Sequence, residues 1–96
     1  MTRIEFEQHY LEQVQALDVR RYHKLMPLNI RLFEAEGWKY TWMDQTPDGW
    51  VFWGKDGAKT FRVHVPKTGT DLKWEWDWEW QGESIAMRSQ KENGGQ

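Results

Sequence analysis

Glu75, Asp77 and Glu79 stand at alternate positions of the run Leu72-Lys73-Trp74-Glu75-Trp76-Asp77-Trp78-Glu79-Trp80-Gln81. On a strand, alternate residues share one face about 7 Å apart, so these carboxylates form an acidic row. Such a row can engage a basic protein surface. A metal would ask for more. Calcium sites need a glycine-bearing loop, and transition-metal sites need histidine at ligand spacing. Neither accompanies this row, so no metal and no cofactor are expected. Arg20, Arg21 and Lys24, with Arg31 further on, form a basic cluster that suits phosphate or an acidic partner. His9 and His23 lie about four helical turns apart and cannot share a ligand on one continuous helix. His64 stands two residues from Arg62. No Ser–His–Asp set or glycine-rich phosphate loop can be assembled, and the chain reads as non-enzymatic.

The same run carries a second pattern on its other face. Leu72, Trp74, Trp76, Trp78 and Trp80 alternate with the charged residues, which is the period of a strand with one dry and one wet side. With Trp38, Tyr40, Trp42, Trp50, Phe52 and Phe61 they make an aromatic face, either core or interface. The preceding strand runs out near Lys59, so Trp78 and Trp80 are expected to overhang it. Exposed tryptophans on an edge strand need a cover: the tail, a second copy of the chain, or another protein adding a strand there. The expected partner-binding residues are therefore Glu75, Asp77, Trp78, Glu79 and Trp80. Arg20, Arg21 and Lys24 are the alternative, nucleic-acid-binding set.

Composition bounds these readings. A chain of 96 residues makes one small domain. A charged fraction of 29% with a formal net charge of −2 argues against a dedicated DNA binder. With no cysteine, disulfides and zinc–thiolate sites are excluded. No apolar run approaches a membrane span, and Met1-Thr2-Arg3-Ile4-Glu5 is no signal peptide. A cytoplasmic protein without membrane contact is expected. The unusual number is eight tryptophans, a residue favoured in cores and binding hot spots.

The remaining elements must position these faces. Thr2 to Glu5 fits a capping box. Phe6, Tyr10, Val14 and Leu17 make a helical stripe, which either runs on through Tyr22 and Leu25 or breaks at Asp18, which would then cap a second segment. Pro27 is expected to end or kink the helix and to start a shorter one, and Gly37 to stop that one. From Trp38 the period becomes two. Thr46-Pro47-Asp48-Gly49 is a turn, Trp50-Val51-Phe52-Trp53 a second strand, Asp56-Gly57 a hairpin loop and Lys59 to Val65 a third strand. That loop pairs Phe52 with Phe61 and Trp50 with Val63. A symmetric last loop pairs Val63 with Trp74, Arg62 with Glu75 and Phe61 with Trp76. The expected fold is α+β, with an N-terminal helix or kinked helix pair on a four-stranded antiparallel meander. Residues 1–81 form that domain and 82–96 a polar, mostly disordered tail.

Phe33-Glu34-Ala35-Glu36-Gly37-Trp38, Lys55-Asp56-Gly57 and Phe61-Arg62-Val63-His64-Val65-Pro66 through Asp71-Leu72-Lys73 resemble small HicA-type RNA-cleaving toxins. The resemblance implies a meander after a helix ending in Gly-Trp, and RNA as the ligand. The family's catalytic histidine is missing, with Asp48-Gly49-Trp50-Val51 in its place, and the tryptophan strand replaces the family's closing helix. Two functions are expected on these grounds. The first is a small protein-interaction module (an inhibitor, an immunity-type protein or an accessory subunit), with a second copy of the chain among its candidate partners. The alternative is an RNA-binding protein distantly like HicA-type toxins.

Overall fold

The computed structural model describes residues 1–78 and 80. Glu79, Gln81 and the expected tail 82–96 lie outside the described residues. Helix α1 (Arg3–Gln15) opens on the expected capping box. Glu5 N–H donates to Thr2 Oγ1 at 3.1 Å, and Thr2 N–H donates to Glu5 Oε1 at 2.7 Å. Two helix-end donors are satisfied reciprocally in this way. The helical run does break near Asp18, but Asp18 does not cap the second helix. It accepts from Val19 N–H and from Lys24 Nζ, while helix α2 (Tyr22–Ala35) starts from Arg21 with no side-chain cap.

The restart expected at Pro27 does not occur, because Pro27 lies inside α2. Proline there removes the bond to the carbonyl of residue 23. His23 and Pro27 are both exposed, so the loss falls on the solvated side, where water can satisfy the carbonyl. Gly37 ends the helix as expected, at φ +83°. Gly37 N–H donates to Glu34 O and Trp38 N–H to Phe33 O, the paired bonds of a Schellman close. Its accompanying apolar contact is Phe33 against Trp38, with ring centroids 6.4 Å apart.

Four antiparallel strands complete the chain in the order β1 (Lys39–Thr46), β2 (Gly49–Asp56), β3 (Lys59–Pro66) and β4 (Lys73–Trp76). The fold is α+β, with the two N-terminal helices packed on the sheet. The β3–β4 register is the expected one. The β2–β3 register is not. The loop is Gly57-Ala58 rather than Asp56-Gly57, so Phe52 pairs with Val63 and Trp50 with Val65. Gly57 has φ +64° and Ala58 has no positive φ, which is the habit of a type II′ turn with glycine first. A slip of two residues leaves each side chain on its expected face. On the core face, Gly54 lies opposite Phe61. A Cβ there would meet the Phe61 ring at 2.4 Å, so only glycine leaves room for that ring.

β4 is shorter than the ten-residue alternation suggests. Asp77 N–H still donates to Thr60 O at 3.0 Å. The reciprocal bond from Thr60 N–H, however, goes to the Asp77 carboxylate at 2.9 Å. A side chain thus takes the place of the strand carbonyl, and the chain bends away at Asp77 and Trp78. Trp78 and Trp80 turn back onto the core face instead of overhanging it. Trp80 lies 5.3 Å from Trp38, and Trp78 lies 5.8 Å from Phe61 between ring centroids.

The core joins Phe6, Tyr10 and Val14 of α1 and Leu25, Leu28, Leu32 and Phe33 of α2 to Trp38, Trp50, Phe52, Phe61, Val63 and Val65. Each such side chain contributes about 1.5–3 kcal/mol by leaving water. Helix α1 lies over the β4 side, with Tyr10 5.0 Å from Trp74 and the Trp76 indole donating to Glu7 Oε2 at 2.8 Å. One polar pair is sealed inside: the Tyr10 hydroxyl donates to Asn29 Oδ1, and Asn29 Nδ2 donates to Leu25 O at 2.6 Å. Burial pushes the Tyr10 hydroxyl well above the usual tyrosine range. Tyr10→Phe would leave Asn29 Oδ1 buried without its donor, at an expected cost of about 1–3 kcal/mol. Urea unfolding measures it; a loss below roughly 0.5 kcal/mol, the bottom of the range for a typical bond, would show that this bond does not hold the helices together.

Candidate functional site

The helices cover one face of the sheet, and no described element packs over the other. The make-up of that open face depends on β1. Its pairing with β2 slips between Tyr40 and Trp42, where Thr41 is the extra residue: Tyr40 pairs with Gly54 and Trp42 with Trp53. A bulge of one residue moves every later side chain of the strand to the opposite face. The expectation that Trp42 joins the aromatic core face is therefore corrected. Met43, opposite Phe52, packs against the core instead, and Trp42 is 63% exposed.

The register aligns the open face in rows. Trp42, Trp53, Arg62 and Glu75 are successive partners across the four strands, and Asp44, Val51, His64 and Lys73 form the next row. Asp44 lies two residues along β1 from Trp42 and accepts from its Nε1 at 2.8 Å. The Trp53 indole reaches the other Asp44 oxygen at 3.4 Å. The Arg62 guanidinium lies over the Trp53 ring, 4.9 Å from its centroid, and Arg62 Nε donates to Glu75 Oε1. The hydrogen bond from Arg62 holds the Glu75 carboxyl below its usual range, and the same bond raises Arg62. Thr46, whose hydroxyl lies 3.4 Å from His64 Nε2, joins Asp44, Arg62, His64, Lys73 and Glu75 in lining a hollow of about 570 Å³ with Val51 and Trp53, while Trp42 stands outside it.

The residues singled out from sequence are dispersed. Glu75 stands on the open face, paired with Arg62. Asp77 is occupied in closing β4 on Thr60. Trp78 and Trp80 are half-buried against the core, with Lys59 6.0 Å from the Trp78 ring, and Glu79 lies outside the described residues. Arg20 donates to Pro66 O at 2.9 Å, Lys24 pairs with Asp18, and Arg31 reaches Gln13. Arg21 is exposed at the start of α2. Among the described residues, no group of three or more His, Asp or Glu is gathered where it could hold a metal ion, and no helix is long and apolar enough to cross a membrane.

Sequence reasoning missed Trp42, Asp44 and Trp53. A signal existed. Apolar residues stand at Trp38, Tyr40 and Met43, while Asp44 and Thr46 are polar, so the dry face changes parity inside one strand. Val51 and Trp53 also make β2 apolar on both faces.

No family model matches the chain, and neither a curated protein nor a solved structure matches it.

The Arg62–Glu75 pair sets an acid limb. Because the folded-state pKa of Glu75 is lowered, its contribution is present above the unfolded carboxylate value, about 4.3, and is lost as pH falls below it. Comparing urea midpoints of the wild type and Glu75→Gln across pH should show a difference near neutrality that closes in acid. A difference independent of pH would contradict the pairing.

Proposed function

We propose that the protein is a non-enzymatic protein-interaction module, an inhibitor, immunity-type protein or accessory subunit, that binds another protein with the open face of its sheet. The observation that carries this reading is Trp42: a large aromatic turned out of the core by a bulge, 63% exposed and fixed by Asp44. Tryptophan and arginine dominate binding hot spots, and here Trp42, Trp53 and Arg62 stand in one row on a hydrogen-bonded sheet. Side chains already fixed by partners lose less freedom on binding. The reading retains Glu75 and the wet face of β4. It gives less weight to Trp78 and Trp80, which are in use against the core. A cysteine-free chain suits a reducing cytoplasm.

The face carries both signs of charge, which suits a protein better than a polyanion. An RNA ligand through Arg20, Arg21 and Lys24 has less support, since Arg20 and Lys24 are engaged with Pro66 and Asp18. The test is quantitative binding of whatever the full chain retains, measured for wild type, for Trp42→Ser with Arg62→Ala, and for Arg21→Ala with Arg20→Ala. The face variant should lose at least about 2 kcal/mol, about thirtyfold in Kd, as hot-spot truncation does, while the helix variant binds as the wild type. The reverse result, or retention of RNA lost with the arginines, would overturn the reading.

A further inference from the structure

The open face carries two indole–carboxylate pairs that are built from similar parts but are not equally complete. In one, Arg62 lies over the Trp53 ring and bonds to the Glu75 carboxylate: an indole face, a guanidinium and a carboxylate, mutually satisfied. Trp42 and Asp44 repeat the indole and the carboxylate without the cation. Among the described residues, no Lys, Arg or His pairs with Asp44, and no cation lies over the Trp42 ring. Indole N–H groups from Trp42 and Trp53 hold the Asp44 carboxylate in place, but they carry no charge to balance it. At the far end of the Asp44 row, three strands away, Lys73 likewise forms no ion pair among the described residues. Val51 on β2 and His64 on β3 lie between them.

We infer that Trp42 and Asp44 form a receptor for an arginine side chain of the partner protein, with Val51 meeting an apolar neighbour and Lys73 a carboxylate on the same segment. An arginine fits because its planar guanidinium can stack on an indole while its N–H fork bonds a carboxylate, the arrangement that Arg62 already adopts between Trp53 and Glu75. Neighbouring strands lie about 4.8 Å apart and an extended chain advances about 3.3 Å per residue. From β1 to β4 is therefore about four residues of an extended segment crossing the strands. Along that row stand Asp44, Val51, His64 and Lys73; an acid at one end with an apolar residue beside it and a base at the other end are complementary to arginine, apolar, then acid.

This assignment rests on the open face being a protein-docking surface, and its test separates the two. The probe is acetyl-Arg-Gly-Val-Gly-Glu-amide, titrated into the full chain labelled with ¹⁵N and followed at the indole Nε1–H resonances. The expected result is a saturable shift at Trp42 and Trp53, with Trp38 and Trp50 unmoved. Asp44→Asn should weaken the peptide about tenfold or more, as loss of a charge-assisted bond does. Trp42→Leu should weaken it about two- to fivefold, the share of an exposed cation–π contact, and replacement of the peptide arginine by citrulline should match Asp44→Asn. Equal affinity for the citrulline peptide, unchanged binding to Asp44→Asn, or no saturable shift at Trp42 would overturn the assignment. If the peptide fails while the Trp42→Ser with Arg62→Ala variant still loses its protein partner, the arginine assignment alone falls.

Discussion

β1 carries one residue more than its pairing with β2 requires, and the surface chemistry of the molecule turns on that residue. Before Thr41, the strand places Trp38 and Tyr40 toward the helices, where Phe33 packs on both. After it, the same side of the strand presents Met43. Without the bulge, strict alternation would send Trp42 inward and Met43 out. The core would then have to hold an indole where it now holds a thioether, at the overpacking cost of a full interior. The bulge relieves the core and shows an aromatic to solvent in one step. The exposed indole is not loose: its N–H is bonded to Asp44, and the neighbouring indole is bonded to the same carboxylate.

The opposite end of the sheet solves the complementary problem. Edge strands invite pairing with other chains, and β4 is an edge strand rich in tryptophan. Asp77 ends its ladder by substituting its carboxylate for a backbone carbonyl, and the chain then folds Trp78 and Trp80 back over Trp38 and Phe61. Trp74 and Trp76 stack in parallel, 5.0 Å apart, beneath α1. Glu7 accepts the Trp76 indole N–H, so the strand is pinned to the helix by a polar bond as well as by area. Trp74, Trp76, Trp78 and Trp80 are thus half-buried against the core, Trp53 is half-buried on the open face, and Trp42 is the exposed indole.

Much of this was legible in the residues. The capping box, the Gly37 close, the change of period at Trp38 and the β3–β4 register all come from local chemistry, because each depends on residues within a turn or a hairpin. The features that were not legible depended on competition between distant groups. Pro27 reads as a helix start only if its neighbours offer no better use; the apolar stripe of Leu25, Leu28 and Leu32 packs well enough to carry a proline whose missing bond is solvated. Asp56-Gly57 reads as a type I′ loop, and glycine served a type II′ loop one residue later. The ten-residue alternation reads as one long strand, yet the side chain of Asp77 can compete with its own backbone. The candidate site was missed because a bulge leaves no motif, only a change in the parity of apolar positions.

The open-face site exists only if the bulge turns Trp42 out of the core. Incorporating 5-fluorotryptophan and comparing ¹⁹F shifts in H₂O and D₂O reads the hydration of every indole separately, with Trp42 assigned by Trp42→Phe. The largest solvent isotope shift is expected at Trp42, a smaller one at Trp53, and next to none at Trp38 and Trp50, which are buried. A Trp42 resonance as insensitive to solvent as that of Trp38 would mean that β1 alternates without a break, and the site would be lost with the bulge.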